Sequence, residues 1–129
     1  MRRERLVPLA RVVAYAGHAQ GKSDFVSAPV HATSAALARA GLAASDIDLF
    51  EINEAFAAVT LLCARELEVA RERVNVRGGA VALGHPIGAS GARIVVTLLH
   101  ALSALGKRRG VATLCLGGGE ALALVLERS

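Results

Sequence analysis

The sequence predicts an α/β fold in which a mixed five-stranded sheet carries helices on both faces. Short apolar strands alternate with helical stretches along the chain, an order typical of helices packed over a mostly parallel sheet. Apolar residues make up 53% of the chain and are mainly alanine, valine and leucine, whereas aromatic residues make up only 3%. Small aliphatic side chains favour close packing of helix on sheet. The 129 residues are enough for one domain with a substantial core.

The sequence predicts a short lead-in followed by one domain. Residues 1–8 are predicted to be a basic lead-in, and residues 9–129 to form the single domain. The first strand of that domain is expected at Leu9 to Ala16, where the residues are mostly apolar. The segment from Gly17 to Pro29 is polar and contains glycine, so a long loop is expected there.

The three predicted helices are each marked by a stop signal, a cap or an apolar stripe. The alanine-rich segment His31–Ala40 ends at Gly41, a common helix stop. The second helix is expected to open at Asn53. Its apolar side chains recur at three- and four-residue steps, at Phe56, Val59, Cys63 and Leu67. The third helix is expected from Ala92 to Leu105, with Ser90 as a possible cap near its start.

The remaining strands lie on either side of the second and third helices. One is expected from Leu49 to Ile52, and a fifth strand of the sheet between the second and third helices. Two more are expected at Gly110–Leu116 and Ala121–Glu127, joined by the glycine-rich turn at 117–120. Because that turn is so short, these two strands should be antiparallel neighbours.

Residues 74–91 are the most unusual stretch of the chain. Five glycines fall in its last fourteen residues. Glycine in a helix interior costs roughly 1 kcal/mol relative to alanine, so the stretch predicts a buried, glycine-lined loop that lets backbone approach a ligand. Pro86 restricts the preceding His85 to an extended conformation and so holds the imidazole at a defined angle. Taken alone, His85 could be a base, a hydrogen-bond donor or a core residue.

Two further residues lie at strand ends, where open α/β sheets bind ligands. Asn53 follows a strand, although it could equally serve as the N-cap of the next helix. Cys115 closes a strand beside three glycines, so its thiol could face a cavity; the alternative is a small core residue, the commonest role of a free cysteine. Cys63, in a helix, is assigned to that core role.

Composition argues against several classes of function. The net charge is +4, and one tyrosine and three phenylalanines are too few to interleave with the basic residues, so nucleic-acid binding is not expected. No apolar run reaches membrane-spanning length, and no membrane association is expected. The two cysteines have no CxxC spacing and the four histidines share no ligand spacing. Reduced thiols, a cytoplasmic location and the absence of a metal site are therefore expected.

Three blocks of sequence appear in the order and spacing seen in thiolases. They are Asn-Glu-Ala-Phe at 53–56, Gly-His-Pro-Ile-Gly-Ala-Ser-Gly-Ala-Arg at 84–93 and Cys-Leu-Gly-Gly-Gly at 115–119. From about Leu9 to Glu127 the chain resembles the C-terminal domain of the acetyl-CoA acetyltransferase and 3-ketoacyl-CoA thiolase family. The resemblance implies the C-terminal half of an acyl-CoA C-acyltransferase, which performs Claisen condensation or thiolysis of 3-ketoacyl-CoA. It implies acyl-CoA and coenzyme A as substrate and product, with no other cofactor.

The resemblance also implies a role for each block. His85 would activate the nucleophilic cysteine of the other half and, with a water held by Asn53, would form an oxyanion hole for a thioester carbonyl. Cys115 would act as acid and base, moving protons to and from the α-carbon or the coenzyme A thiol. The N–H of Gly117 would contribute to a second oxyanion hole. The predicted oxyanion and substrate-binding residues are Gly117, Gly84 and Phe56.

The chain also departs from the thiolase pattern. Thiolases carry the acylated cysteine in a Cys-Gly-Ser-Gly-like segment of their N-terminal half, and these 129 residues contain no such segment. The loop at 25–29 reads Phe-Val-Ser-Ala-Pro where many thiolases have Met-Gly-x-Gly-Pro near the acyl pocket. We therefore expect the isolated chain to be inactive and to associate with an N-terminal half or with itself, the helix at 31–40 being one candidate surface.

Two other functions remain open. A thiolase-like module could bind a partner or acyl-CoA without turnover, in which case the same residues would form a binding site only. A relative of the ketoacyl synthases is a weaker alternative. Those enzymes use a second histidine, whereas this chain ends its active strand with Cys115.

Overall fold

The computed structural model describes residues 6–129, so residues 1–5 of the predicted basic lead-in lie outside the described part. The strands are Ala10–Ala19 (β1), Leu49–Ile52 (β2), Arg109–Leu116 (β3) and Glu120–Arg128 (β4). They form one sheet in the order β1-β4-β3-β2. β2 and β3 run parallel, whereas β4 is antiparallel to both β1 and β3. A mixed sheet with an antiparallel pair at the end of the chain is thus confirmed.

The prediction of five strands is wrong, since the sheet in residues 6–129 has four. Between the second and third predicted helices, Val74 makes only an isolated parallel bridge to Phe50. The next residue, Asn75, has a positive φ of 47°, which turns the chain away from the sheet. Its side chain takes the place of a further strand residue: Oδ1 accepts from Ile52 N at 2.8 Å, and Nδ2 donates to Ile52 O at 2.9 Å. The side-chain amide of Asn75 therefore provides the hydrogen bonds that a neighbouring strand would give to the backbone of Ile52.

Helices cover both faces of the sheet, as predicted. They are Ala28–Ala40 (α1), Ala57–Glu66 (α2), Ala80–Leu83 (α3) and Ser90–Ala104 (α4). One core cluster joins α1 and α2 to the sheet, and a second joins α4 to the opposite face. Successive strand residues alternate between the two clusters, so Val111 packs in the first and Ala112 in the second.

Small side chains bring α1 close to the sheet. Ala28, Ala32 and Ala36 recur every fourth residue and are fully buried. Gly41 ends the helix in the left-handed conformation, with φ of 66°, which confirms the predicted stop. These alanines are covered within the chain itself. The predicted association surface on this helix is therefore not an exposed apolar face.

Two helix starts differ from the predictions. α2 begins at Ala57 rather than at Asn53, because residues 53–56 leave the strand in an irregular segment before the first helical turn. Consequently Asn53 is not an N-cap, and Phe56 is 63% exposed instead of joining the buried stripe. In α4 the cap position is Ala89, so Ser90 is a helical residue rather than a cap.

The stretch at 74–91 is neither a continuous loop nor buried. Residues 80–83 form the single turn of α3, and residues 81–89 are exposed. Gly84 ends α3 with φ of 94° and ψ of 161°, a conformation that only glycine adopts readily. The glycine therefore turns the chain outward immediately before His85, which is why this segment projects from the core.

Candidate active site

Two parallel strands bring the candidate residues to one edge of the sheet. Ile52 of β2 pairs with Thr113 of β3, and the next residue, Asn53, donates its backbone N–H to Thr113 O at 2.9 Å. Cys115 lies two residues further along β3. Because parallel strands end on the same side, Asn53 and Cys115 lie at the same edge of the sheet.

A cavity of about 360 Å³ opens at this edge. Four of the six predicted site residues line it: His85, Cys115, Phe56 and Gly117. Asn53 lies behind this lining and contacts His85, with Asn53 Nδ2 and His85 Nε2 3.4 Å apart. Gly84 contributes its backbone turn rather than a cavity wall. The structure therefore brings His85 and Cys115 to one cavity, with Asn53 beside His85.

The ring of His85 is held in one tautomer by Ser90. The Ser90 hydroxyl donates to Pro86 O at 3.0 Å, which uses its only hydrogen. Its oxygen lies 2.6 Å from His85 Nδ1 and must therefore accept from that nitrogen. The hydrogen of the neutral ring is then on Nδ1, and Nε2 keeps a lone pair. Nε2 is the ring nitrogen next to Asn53 and is free to take up a proton.

Burial keeps the thiol of Cys115 protonated. The side chain is half-buried, and desolvation raises the pKa of the Cys115 thiol above 9.0, while a backbone hydrogen bond lowers it less. A protonated thiol can donate a proton but is a poor nucleophile, because the thiolate is the attacking species. Burial also raises the pKa of Cys63 to about 12. The fully buried Cys63 is thus a core residue, as predicted.

A carboxylate anchors the start of the segment that carries His85. Glu54 accepts from Asn75 Nδ2 at 3.1 Å and from Val81 N at 2.9 Å. The carboxyl group lies where a Cβ on Gly79 would have to be, so a side chain at position 79 would displace Glu54 from these hydrogen bonds. Glu54 therefore ties the end of β2 to the start of the projecting segment.

The opposite wall of the cavity comes from the segment at 22–29. Phe25 meets Phe56 edge to face, with ring centroids 6.0 Å apart. Lys22 is the only lysine or arginine among the lining residues. The loop at 25–29, whose sequence departs from the thiolase pattern, thus contributes the aromatic ring of Phe25 to this wall, and Lys22 just before it contributes a cation.

Comparison with known proteins identifies the fold and the family. The family model for the thiolase C-terminal domain matches residues 6–128. The chain belongs to this family. It is 56% identical over 123 residues to acetyl-CoA acetyltransferase of Escherichia coli K12, covering 95% of this chain and 31% of that protein. It is 52% identical over 126 residues to the cytosolic acetyl-CoA acetyltransferase of mouse, covering 98% of this chain and 32% of that protein.

Solved thiolases have the same fold. Human mitochondrial 3-ketoacyl-CoA thiolase superposes with a TM-score of 0.95 at 41% identity, covering 99% of this chain and 32% of the human one. Acetyl-CoA acetyltransferase of Bacillus anthracis gives the same TM-score at 44% identity, with the same coverage of both chains. This thiolase C-terminal domain therefore spans about a third of the length of its relatives.

Sequence reasoning missed the roles of three polar residues of the thiolase domain, Glu51, Arg93 and Ser90. Glu51 and Asn53 are two residues apart and both buried, and Arg93 reaches them from α4. Ser90, which was predicted as a cap, instead bonds the ring of His85. The sequence around Glu51 does predict a buried partner, since a carboxylate in the middle of an apolar strand needs one. The partner itself could not be read from the spacing, because it is 42 residues away.

Burial raises the pKa of the Glu51 carboxyl from 4.5 to about 7. The hydrogen bond and charge of Arg93 lower the pKa but do not fully offset desolvation, and the nearby charge of Glu54 raises it further. The Glu51–Arg93 ion pair is 2.8 Å long, with side chains 2% and 18% exposed. Such a buried pair is weak support for stability but a defined geometric constraint.

A second, apolar cavity of about 250 Å³ lies beside α4. It is lined by side chains from β1, β3 and β4 that α4 leaves uncovered, including Tyr15, Leu114 and Leu122. Tyr15 is 66% and Leu122 48% exposed. An exposed apolar face of this thiolase domain therefore lies on the α4 side of the sheet, opposite α1.

Across residues 6–129, no three or more His, Cys, Asp or Glu side chains converge in a way that could hold a metal ion. None of the helices in the same range combines the length and apolar character needed to cross a membrane.

Proposed function

We propose that this chain supplies the proton-transferring and oxyanion-binding residues of an acyl-CoA C-acyltransferase. The observation that supports this most directly is the meeting of His85 and Cys115 in one cavity, with Asn53 against the ring of His85. The family of the chain fits this chemistry, because its relatives are named acetyl-CoA acetyltransferases and a thiolase neighbour was solved in complex with CoA. The substrates we propose are acyl-CoA and 3-ketoacyl-CoA.

In the proposed first half-reaction, His85 Nε2 takes the proton of a nucleophilic thiol elsewhere in the complete enzyme. The resulting thiolate attacks the carbonyl carbon of acyl-CoA, and the carbon–sulfur bond to coenzyme A breaks. The departing coenzyme A thiolate takes the proton of Cys115. The acyl group is then held as an enzyme thioester, and Cys115 is left as a thiolate.

In the second half-reaction, the Cys115 thiolate removes the α-proton of another acyl-CoA. The enolate carbon attacks the enzyme thioester, forming the new carbon–carbon bond. The nucleophilic sulfur leaves and regains its proton from His85. Both protons are thereby returned, and thiolysis follows the same steps in reverse. No cofactor is required, because coenzyme A enters only as substrate or product.

Oxyanion stabilisation would come from donors that are fixed before the reaction. Asn53 presents Nδ2 beside His85, and the N–H of Gly117 lies in the turn that lines the cavity. Donors aimed at a developing oxyanion supply several kcal/mol of transition-state stabilisation. We propose that they stabilise the thioester oxyanion and the enolate at the positions that the thiolase resemblance implies.

A partner surface is part of the proposal. The chain contains no Cys-Gly-Ser-Gly-like segment and spans about a third of its relatives. We propose that the nucleophile-bearing part of a thiolase covers the apolar face around Tyr15 and Leu122, or that a second copy covers it when that part is missing. A cytosolic setting suits two thiols kept reduced, and the mouse and rat relatives are named cytosolic.

The test is a chimera in which this chain replaces the matching third of the Escherichia coli relative. We expect the chimera to condense acetyl-CoA and to cleave acetoacetyl-CoA, and the 129-residue chain alone to do neither. His85→Ala and Cys115→Ala should each lower turnover by orders of magnitude. His100→Ala, an exposed substitution on α4, is the control and should change little.

Two outcomes would reject the proposal. Full turnover by a folded chimera with Cys115→Ala would remove the acid–base role. A folded chimera that binds acyl-CoA without turnover would instead favour a non-catalytic binding module.

A further inference from the structure

We infer that Arg93, held in place by Glu51, is a positioning residue that fixes the side-chain amide of Asn53 with its N–H donors toward His85. The catalytic consequence rests on the function proposed above, whereas the orientation of the amide is a property of the folded chain. The two can therefore fail separately.

The guanidinium of Arg93 bonds two buried side chains, those of Glu51 and Asn53, which lie two residues apart in the chain. Arg93 Nη1 donates to Glu51 Oε1 at 2.8 Å, and Arg93 Nη2 donates to Asn53 Oδ1 at 3.3 Å. Glu51 and Asn53 are 1% and 0% exposed, so neither can exchange this contact for water. The planar fork of arginine reaches both partners at once, which a lysine ammonium cannot do in the same geometry.

The chemistry of arginine decides which way the Asn53 amide faces. A guanidinium only donates hydrogen bonds, so the amide atom that faces Arg93 must be the oxygen. The NH₂ group then points the other way, toward His85 Nε2 at 3.4 Å. Turning the amide over would set two donors against each other in a buried site and would leave the carbonyl oxygen facing the ring.

At the Ser90 end of the network, the direction from donor to acceptor is fixed as well. Pro86 O can only accept, so the Ser90 hydroxyl donates to it and accepts from His85 Nδ1. Every hydrogen bond from Arg93 through Asn53, His85 and Ser90 to Pro86 O therefore runs in one direction. Arg93 is the donor that starts this series, and a backbone carbonyl is the acceptor that ends it.

A reversed network would satisfy the three central side chains equally well. Asn53 would present Oδ1 to the ring, His85 would donate from Nε2–H, and the Ser90 hydroxyl would donate to Nδ1. In that state Nε2 carries a hydrogen and cannot accept a proton. Two contacts oppose the reversed state: Pro86 O would lose the Ser90 hydroxyl, and Arg93 would face the NH₂ group of Asn53. Arg93 thus acts on the reacting nitrogen through Asn53.

Glu51 makes this arrangement possible. A buried guanidinium without an anion would carry a large desolvation cost, and it would not hold one position. The carboxylate anchors Nη1, which leaves Nη2 aimed at Asn53. Removing Arg93 alone would strand the Glu51 charge, so the informative variant removes both members of the pair.

The experiment compares Glu51→Leu/Arg93→Met with the control Glu127→Leu/Arg109→Met. The control removes an ion pair of the same 2.8 Å length at the end of β3 and β4 away from Cys115, where Glu127 also pairs with Arg11 and Arg108. The chain is labelled with ¹⁵N in its histidine rings, and two-bond ¹H–¹⁵N spectra at a pH where the rings are neutral report which nitrogen of His85 carries the hydrogen. Circular dichroism checks the fold of each variant.

In the wild-type chain and in the control we expect the Nδ1–H form of His85 to dominate. In Glu51→Leu/Arg93→Met the Nε2–H form should become a major species. Unchanged His85 signals in a folded variant would overturn the inference. If the variant does not fold, Glu51→Gln/Arg93→Met gives the same readout while keeping a polar side chain at position 51: an unchanged His85 tautomer there would count against the inference equally.

The catalytic consequence is measured in the chimera. With Glu51→Leu/Arg93→Met, kcat should fall roughly 10- to 100-fold with little change in KM, as expected for a misplaced group that binds substrate weakly. Adding Asn53→Ala should then cost little more, since the two act on one amide. If the tautomer shifts in the chain while the chimera is inactive even with the wild-type pair, the inference stands and the proposed function fails.

Discussion

Nδ1 of His85 lies 2.6 Å from the hydroxyl oxygen of Ser90, five residues further along the chain, and that hydroxyl bonds back to Pro86 O. These two hydrogen bonds close the short loop between His85 and Ser90, and they hold the imidazole of His85 in one orientation. Ser90 is fully buried on the first turn of α4, so the ring is anchored to a helix rather than to a loop.

Removing this hydroxyl should weaken catalysis without unfolding the domain. In the chimera, Ser90→Ala should lower kcat by about tenfold, because the His85 tautomer is no longer fixed at Nδ1. Alanine is favourable in a helix, so the melting temperature should hardly change. Ser103→Ala, an exposed serine on the same helix, is the matched control. Equal kcat values for the two variants would show that Ser90 does not orient the ring.

Gly79 and Gly88 should respond differently to the same substitution. A Cβ at Gly79 collides with the Glu54 carboxyl, whereas a Cβ at Gly88 meets nothing within 4 Å. Gly79→Ala is therefore expected to destabilise the domain by about 1–3 kcal/mol, the usual range for overpacking. Gly88→Ala should be close to neutral. Urea unfolding of the two variants measures this difference, and equal midpoints would contradict the packing described for Glu54.

The stability of the domain should carry a pH dependence that originates at Glu51. In the unfolded chain its carboxyl has a pKa near 4.5, whereas burial raises the pKa in the folded chain to about 7. Between these values the folded form holds a proton that the unfolded form has released, so this contribution to stability rises as pH falls from 7 to 4.5. The gain is at most about 3 kcal/mol.

The pH dependence is isolated by comparing variants. Unfolding free energies are measured at pH 7.5, 6 and 5 for the wild type, for Glu51→Gln and for the exposed control Glu72→Gln. The wild type and the control should share one dependence, while Glu51→Gln should lack the gain on acidification. Protonation of histidines affects all three proteins alike. The same dependence in all three would mean that Glu51 is ionised normally.

The two cysteines should differ in their reaction with iodoacetamide. Cys115 borders the cavity and its pKa is raised, so it should react slowly at pH 7 and faster toward pH 9. Cys63, whose pKa is raised to about 12, is fully buried and should react only after unfolding. Peptide mass spectrometry assigns the adducts. Modification of Cys63 first, or a Cys115 rate that does not depend on pH, would contradict the environments described here.

The sequence predicted the elements with local signals and missed those that depend on distant contacts. The stop at Gly41, the strand Leu49–Ile52 and the antiparallel pair at the end of the chain follow from glycine chemistry, apolar runs and turn length. The five-strand prediction failed at Asn75, whose side chain imitates a strand by bonding Ile52. The pattern of apolar residues gives no sign that a side chain, rather than the backbone of a further strand, bonds Ile52.

The catalytic candidates at the cavity could be predicted from the sequence, whereas the residues that hold them in place could not. His85, Cys115 and Asn53 stand in blocks with a recognisable order, so their meeting could be expected. Ser90 was mistaken for a cap because serine near a helix start usually is one. The contact of Arg93 with Glu51 links residues 42 positions apart, and only the packing of α4 across β2 brings them together.

The most direct test of the central claim separates acyl transfer from α-proton transfer in the chimera. Acetyl-CoA is incubated in D₂O, mass spectrometry follows deuterium in its methyl group, and protein mass spectrometry locates any acetyl adduct. We predict that Cys115→Ala still acetylates the nucleophilic cysteine of the Escherichia coli segment, more slowly because coenzyme A must leave as a thiolate, while deuterium uptake and condensation fall to background. Deuterium uptake that survives Cys115→Ala, or a stable acetyl adduct on Cys115 in the wild-type chimera, would contradict the role assigned to this thiol.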